Sequence, residues 1–354
     1  MRNDDFTIGQ CVLSPGQAPY VVAEIGVNFN GDMELAKQSI AAAASAGADA
    51  AKFQTFRADE FMAGSDTIYE YQSAGQTVRE SMYEMFKRLE LPKSWHQELR
   101  GYCNEQGVDF LSSAADTLSA GLLVEVGVPV IKLASEDLIN LPLIRHVAGL
   151  KTPVILSTGM ADGREIDEAL DALEGNGCPS VLLLHCVSLY PTPDEDANLS
   201  RISTLRNRYG FPVGYSDHTI GADAAVAATA LGAVFIEKHF TVDKALHGPD
   251  HALSADPTEL SELVRRVKRV SVQIGTGVID PAGREQAARL QFRRSIVASV
   301  DIAAGTVITG DMLHLKRPGT GLHPRELDTV IGKRAKRAIR GNQRICLDDI
   351  NTLT

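Results

Sequence analysis

Eight short apolar runs recur along the first 275 residues, and each closes in polar or ionisable side chains. They are "YVVAEIG" (20–26), "ADAAKFQT" (48–55), "VDFLSSA" (108–114), "PVIKLAS" (129–135), "PVILSTG" (153–159), "VLLLHCVS" (181–188), "FPVGYSDHT" (211–219) and "AVFIEKHFT" (233–241). Segments rich in Ala, Leu and Glu follow them at 32–46, 116–126, 162–174, 221–231 and 256–273, with another near 94–106. Short β-rich runs alternating with helical periodicity predict an α/β protein. Eight such units in about 250 residues predict a (β/α)8 barrel. A doubly wound sheet is the alternative, but no GxGxxG follows the first run.

One insertion breaks the rhythm. "FRADEFMAGSDTIYEYQSAGQTVRESMYEMFKRLELP" separates the second run from the helix near 94–106. A connection this long inside a compact domain is usually functional. As a βα loop it predicts a lid or a wall on the substrate side. Its methionines at 82 and 85 read as loop packing. After Gly275 the pattern changes to a connector with some helix, then short apolar runs between Gly and Asp turns. The predicted domains are a barrel over 1–275, a linker over 276–292 and a small β-rich domain over 293–354.

In a barrel the C-terminal ends of the strands ring one site. Those ends supply Glu24, Lys52, Gln54, Ser112, Ser113, Lys132, Ser135, Ser157, Thr158, His185, Ser188, Ser216, Asp217, His218, Glu237 and His239. Alternation pairs Lys52 with Gln54 and Glu237 with His239 on one face, and turns Lys238 toward the helices. Two lysines among hydroxyls suit a small anion carrying carboxylate and phosphate. Two histidines on neighbouring strands, near carboxylates, suit a divalent metal such as Mn2+ or Zn2+. The plain alternatives are a hydrogen-bonded histidine, paired structural lysines, and Thr158 and Ser216 as N-caps of the helices that follow. His185, deep in its run, reads as structural.

Charge sharpens the division. The net charge is −10, yet from Arg293 onward eleven Lys and Arg face six Asp and Glu, a net of +5 that leaves −15 on residues 1–292. Basic and apolar residues alternate in that tail without an aromatic platform, so docking to an acidic module or a partner copy fits better than nucleic acid. Five scattered cysteines without CxxC spacing, a polar first decapeptide and no long apolar window predict a reduced cytoplasmic protein with no membrane segment.

The strings "AEIGVNFNGDMELAKQSIAAAASAGADAAKFQTF", "IKLASEDLINLPLI", "ILSTGM", "LLHCVSLYPTPDEDANL", "GYSDHTIG", "IEKHFTVDK" and "GPDHALSADP" resemble the sialic acid synthase family, in its order and over essentially the whole chain. "SVDIAAGTVITGDMLHLKRPGTG" resembles its antifreeze-like (SAF) domain. The resemblance implies a barrel with a small β-clip domain, a domain-swapped homodimer, and condensation of phosphoenolpyruvate with an N-acylated hexosamine. It implies His218 and His239 as ligands of a divalent metal, Mn2+ first, with Mg2+, Co2+ or Zn2+ as alternatives. It further implies donor contacts from Lys52, Lys132, Ser113, Ser135, Ser157, Ser188 and Ser216, and Glu24 and Asp137 as catalytic carboxylates. On the sugar side it implies Gln54, Tyr190 and Asp250, with Arg317 reaching in from the partner's small domain.

Several positions depart from the family's pattern. Phe29 stands where a histidine is usual, Asp137 where many members have Glu, and Ser113 and Ser188 where some neuraminate synthases have Thr and Asn. The leading expectation is an N-acetylneuraminate-type synthase. Legionaminate or pseudaminate synthase and a surface-polysaccharide synthase are alternatives; "LLHC" and "GPDH" lean away from the pseudaminate branch. An aldose-phosphate synthase, an aldolase with an imine on Lys132 and a non-catalytic sugar-binding barrel are the rivals.

Overall fold

The computed structural model describes residues 5–64 and 66–351. The outermost bounds of the two expected domains and the first residues of the polar decapeptide lie outside the described residues. The described chain divides into two compact units, meeting between Thr276 and Gly277.

The first unit is a closed barrel of eight parallel strands. In chain order they are β1 (Tyr20–Gly26), β2 (Ala50–Thr55), β3 (Asp109–Ala114), β4 (Ile131–Leu133), β5 (Val154–Ser157), β6 (Val181–Cys186), β7 (Val213–Asp217) and β8 (Phe235–His239). β8 pairs with β1 and β4 with β5, which closes the ring and leaves no strand edge. All eight expected runs are barrel strands. The structure adds two helices to the expected set, Leu141–Gly149 and Ser200–Tyr209, which cover β4 and β6.

Strand alternation explains how one barrel is both dry and polar inside. The inward column of β1 reads Tyr20, Val22, Glu24; that of β2 reads Ala50, Lys52; and that of β8 reads Phe235, Glu237, His239. The lower members join Leu111, Val130, Ile155, Leu182 and Leu184 in an apolar plug, closed beneath by Phe6, Ile8 and Leu13 of the N-terminal hairpin. The upper members are the polar ring. Outward residues form a second core against the helices. Phe29 lies there, fully buried and edge-on to Phe53 and Trp95, so the departure from histidine serves packing.

Asp32, Asp116, Asp162 and Asp256 cap the helices that follow them, the last two with reciprocal Glu165 and Glu259 contacts. Thr158 and Ser216 are not caps, contrary to expectation. The Thr158 hydroxyl donates to the Leu184 carbonyl, and Ser216 donates to Glu237. Each is still within the barrel rim, too far upstream to reach the first free amides of a helix.

The insertion folds into a helix (Ala58–Phe61), an antiparallel hairpin (Ile68–Ser73 with Gln76–Ser81) and a second helix (Met82–Leu89). Its apolar face packs as Val27, Phe56, Met85 and Leu89 with Tyr69, Met82 and Phe86. Among the described residues no helix is long and apolar enough to cross a membrane.

The second unit has a core of its own, including Ile296, Ile302, Ile308, Val330, Ile339 and Ile345. It contains the helix Gly283–Phe292 and the antiparallel pair Ser295–Ala298 with Leu313–Lys316.

Candidate active site

The polar ring lines a cavity of about 490 Å³ at the C-terminal ends of the strands. Strand register sets its centre. Glu24 lies beside Lys52 on one side and His239 on the other, and Ser216 lies beside Glu237. Lys52 Nζ is 2.7 Å from Glu24 Oε2 and 3.6 Å from Glu237 Oε2, while Lys132 Nζ is 3.2 Å from Glu237 Oε1. Gln54 Nε2 donates to Glu24 Oε1 at 3.0 Å, and Ser216 Oγ donates to Glu237 Oε1 at 2.9 Å. Gly26, at φ 57°, passes so close that a Cβ there would sit 3.3 Å from Glu24 Oε1.

The two carboxylates differ in character. Burial raises Glu24 above its ordinary value, and Lys52 only partly offsets this. Burial would also raise Glu237, but Lys132 and Lys52 outweigh it and hold Glu237 well below the carboxylate range. Glu237 is therefore a fixed counter-ion and Glu24 the carboxyl able to hold a proton. Sequence reasoning placed Glu237 at the mouth but gave it no role. Its inward alternation with His239 was the available signal.

In the same cavity, lined also by Ser157, the Ser135 and Ser188 hydroxyls converge on Gly159. Its N–H donates to Ser135 Oγ at 3.1 Å. A Cβ on Gly159 would lie 2.6 Å from Ser188 Oγ and 2.7 Å from Ser135 Oγ, so only glycine admits this approach. Ser157 Oγ, Asp137 Oδ2 and His239 Nδ1 are buried here without hydrogen-bond partners. Buried polar atoms are normally satisfied, so these mark where a polar ligand sits. Ser113 completes the lining beside Lys132.

His218 and His239 face each other with ring centroids 5.3 Å apart, and Tyr190 packs on both at 4.2 and 5.9 Å. His218 Nδ1 donates to the Val187 carbonyl at 2.7 Å, which leaves the Nε2 lone pair available. Burial pulls His239 well below its ordinary value, so it is neutral, and its Nδ1 is 3.6 Å from Asp250 Oδ2. Burial would lower His218 as well, but Cys186 and the Val187 carbonyl outweigh it and raise it above its ordinary value. Once His218 gives up its second proton, its Nε2 and the neutral His239 could together hold a divalent cation. Among the described residues no three His, Cys, Asp or Glu side chains converge as a complete metal cage. Any remaining donors would have to be substrate oxygens or water.

At the rim, loss of hydration pushes Asp137 and Asp250 each up to about 6. The far wall is the lid: Phe56, Phe61, Tyr69, Met82, Met85 and Phe86. Met82 and Met85 thus line the cavity as well as packing the lid, which local sequence did not reveal. Lys52 and Lys132 are the only Lys or Arg side chains among the cavity's described lining residues. Lys238 turns away from the cavity, as alternation predicts. His185 is fully buried, its Nε2 bonded to the Ala197 carbonyl at 2.8 Å. Arg317 belongs to the second unit, where its guanidinium lies 5.4 Å over the Phe292 ring.

The NeuB family model matches residues 39–279, and the SAF domain model matches residues 293–351. An uncharacterized protein of Methanocaldococcus jannaschii is 41% identical over 347 residues, covering 98% of this chain and 99% of its own. The N,N'-diacetyllegionaminic acid synthase of Legionella pneumophila is 41% identical over 319 residues, covering 89% and 90%. Among solved structures, the N-acetylneuraminic acid synthetase of Leptospira borgpetersenii, in complex with citrate, superposes with a TM-score of 0.73 at 35% identity. It covers 80% of this chain and 94% of that one.

Proposed function

The chain belongs to the NeuB family, and on that premise we propose that it condenses phosphoenolpyruvate with an open-chain N-acylated aldose. The products are a nine-carbon 2-keto acid of the nonulosonate type and phosphate. We assign a 6-deoxy diacetamido hexose of the manno series as acceptor, which makes the product legionaminate-like. N-acetylmannosamine, the leading expectation from the sequence, is the alternative acceptor. The observation that carries the choice is the acceptor wall: five apolar lid side chains with Tyr69 among them, and no Lys or Arg among the described lining residues beyond Lys52 and Lys132. Two acetamido methyls and a C6 methyl match an apolar wall, whereas a hydroxylated or phosphorylated C6 would leave polar groups unpaired against it. The similarity to a legionaminic acid synthase supports the same branch.

Lys52, Lys132 and the Ser135–Ser157–Ser188 cradle hold the donor's carboxylate and phosphate. This contributes positioning and charge stabilisation. A divalent cation held by His218 and His239, Mn2+ in this proposal, would polarise the acceptor's carbonyl oxygen. The donor's C3 forms the new bond to the aldehyde carbon, leaving positive charge on C2. Glu24, beside that carbon, stabilises the charge and takes a proton from the water that adds there. The resulting tetrahedral carbon expels phosphate with cleavage of the C–O bond while its hydroxyl proton leaves to form the ketone. The proton held by Glu24 neutralises the acceptor's new alkoxide oxygen. Asp137, Tyr190, Gln54 and Asp250 orient the sugar.

The experiment is phosphate release from phosphoenolpyruvate with Mn2+, comparing 2,4-diacetamido-2,4,6-trideoxymannose with N-acetylmannosamine. A kcat/KM at least tenfold higher for the former is expected. The reverse preference overturns the acceptor assignment, and no release with either overturns the synthase reading.

A further inference from the structure

We infer that a buried ion pair outside the barrel, Asp217 with Lys238, fixes the two histidines in the geometry that a cation requires. The inference rests on the proposal that His218 and His239 hold a metal. Asp217 ends β7 and Lys238 is its register partner on β8. Each immediately precedes one of the two histidines in the chain. Alternation turns Ser216 and Glu237 into the cavity and Asp217 and Lys238 onto the outer face, where they are 1% and 3% exposed.

The contacts there form a clasp. Lys238 Nζ lies 2.8 Å from Asp217 Oδ2 and also donates to the Thr219 carbonyl. Asp217 Oδ1 accepts the Thr219 N–H at 2.9 Å and the Thr219 hydroxyl at 2.8 Å. The tripeptide Asp217-His218-Thr219 is thereby pinned at both ends, through its neighbours, to the residue before His239. From the cavity side His218 has its Nδ1–H on the Val187 carbonyl. Together these contacts leave the imidazole little freedom to turn away from His239.

Stability alone gives a weak reason for such a pair. Replacing both partners of a buried ion pair by uncharged groups is often neutral or stabilising, because desolvation offsets the attraction. What an ion pair supplies and an apolar pair does not is a directional tie between two strand ends. Asp217 and Lys238 are positioning residues, since neither faces the cavity. Groups that act behind metal ligands typically change metal affinity 10- to 100-fold when removed.

The test uses the full-length protein stripped with chelator, measuring Mn2+ binding by calorimetry and by the loss of free Mn2+ signal in electron paramagnetic resonance. Phosphoenolpyruvate binding is measured separately without metal. The double variant Asp217→Asn/Lys238→Met removes the charges while keeping an acceptor for Thr219. It is expected to fold and to bind phosphoenolpyruvate as the parent does, with a Mn2+ Kd 10- to 100-fold higher. Lys238→Arg keeps the charge but alters the geometry of the tie, so it too should weaken Mn2+ binding, and it serves if the double variant does not fold. A Mn2+ Kd within twofold of the parent in a folded variant overturns the inference. So does a parallel loss of Mn2+ and phosphoenolpyruvate binding, which would mark general disruption. A parent protein that binds phosphoenolpyruvate but no Mn2+ would overturn the metal assignment and this inference with it. That outcome differs from failure of the inference alone, where parent and variants bind Mn2+ equally.

Discussion

At the scale of single residues, the centre of the site is an arrangement of two acids around two lysines. Glu24 and Glu237 share Lys52, but only Glu237 also meets Lys132. Their roles should therefore separate on substitution. Glu24→Gln keeps the Gln54 contact and leaves Glu237 to neutralise the lysines, so donor binding is expected to persist while kcat falls by roughly 100- to 10,000-fold. Steady-state kinetics with a separate donor-binding titration tests this, and near-parental kcat would remove Glu24 from the reaction.

Asp137 makes a second residue-level prediction, through pH. Its carboxyl is raised from 3.8 to about 6 by burial and by the like charge of Glu136. A carboxyl raised by folding favours the native state fully below its unfolded value and loses that contribution as pH rises through the folded one. The window is thus about pH 4 to 6. Above it the native protein carries an ionised, poorly hydrated carboxylate, which Asp137→Asn does not. The variant's melting temperature should therefore gain on the parent's between pH 5 and pH 8, while its turnover is expected to fall because Asp137 lines the cavity. A melting difference that stays constant over this range would show that Asp137 titrates normally.

At the scale of elements, the barrel was legible because its signals are local. Runs of fixed length ending in polar residues, with capped helices between them, carry their own periodicity. The inward and outward columns could be read from alternation alone, which is why Lys238 was turned away correctly. What could not be read depends on contacts distant in sequence. Nothing near Glu237 in the chain says that Lys132, 105 residues away, would be its partner. The lid was recognised by its length, but not that its methionines and aromatic rings would face the cavity. Phe86 sits there edge-on to both Phe56 and Phe61. Phe86→Ala opens this wall beside the acceptor while leaving the lysines and serines untouched. The acceptor KM is expected to rise about tenfold with the donor KM unchanged, consistent with losing one large apolar contact. An equal rise in both would mean that the lid shapes the whole cavity rather than its acceptor end.

At the scale of the whole molecule, two units with separate cores carry charge of opposite sense, −15 on residues 1–276 and +5 on residues 277–354. Among the described residues the cavity's own lining has only two Lys or Arg side chains, and both are engaged with carboxylates. Any further cation for the acceptor's acyl oxygens would have to come from outside this lining, and the homodimer that the sequence resemblance implies would offer Arg317 for that role. Arg317→Ala leaves the barrel's hydrogen bonds and ion pairs intact, so its melting should match the parent's. The acceptor KM should rise about tenfold, and donor binding should not change. Because attraction between exposed charges is screened beyond about 8 Å at physiological ionic strength, raising salt toward 1 M should weaken acceptor binding in the parent more than in the variant. Sedimentation under the assay conditions decides the remaining part. A dimer with an impaired Arg317→Ala variant supports contribution from the partner. A monomer with full activity removes the partner from the site, and then the acceptor is recognised by the barrel and its lid alone.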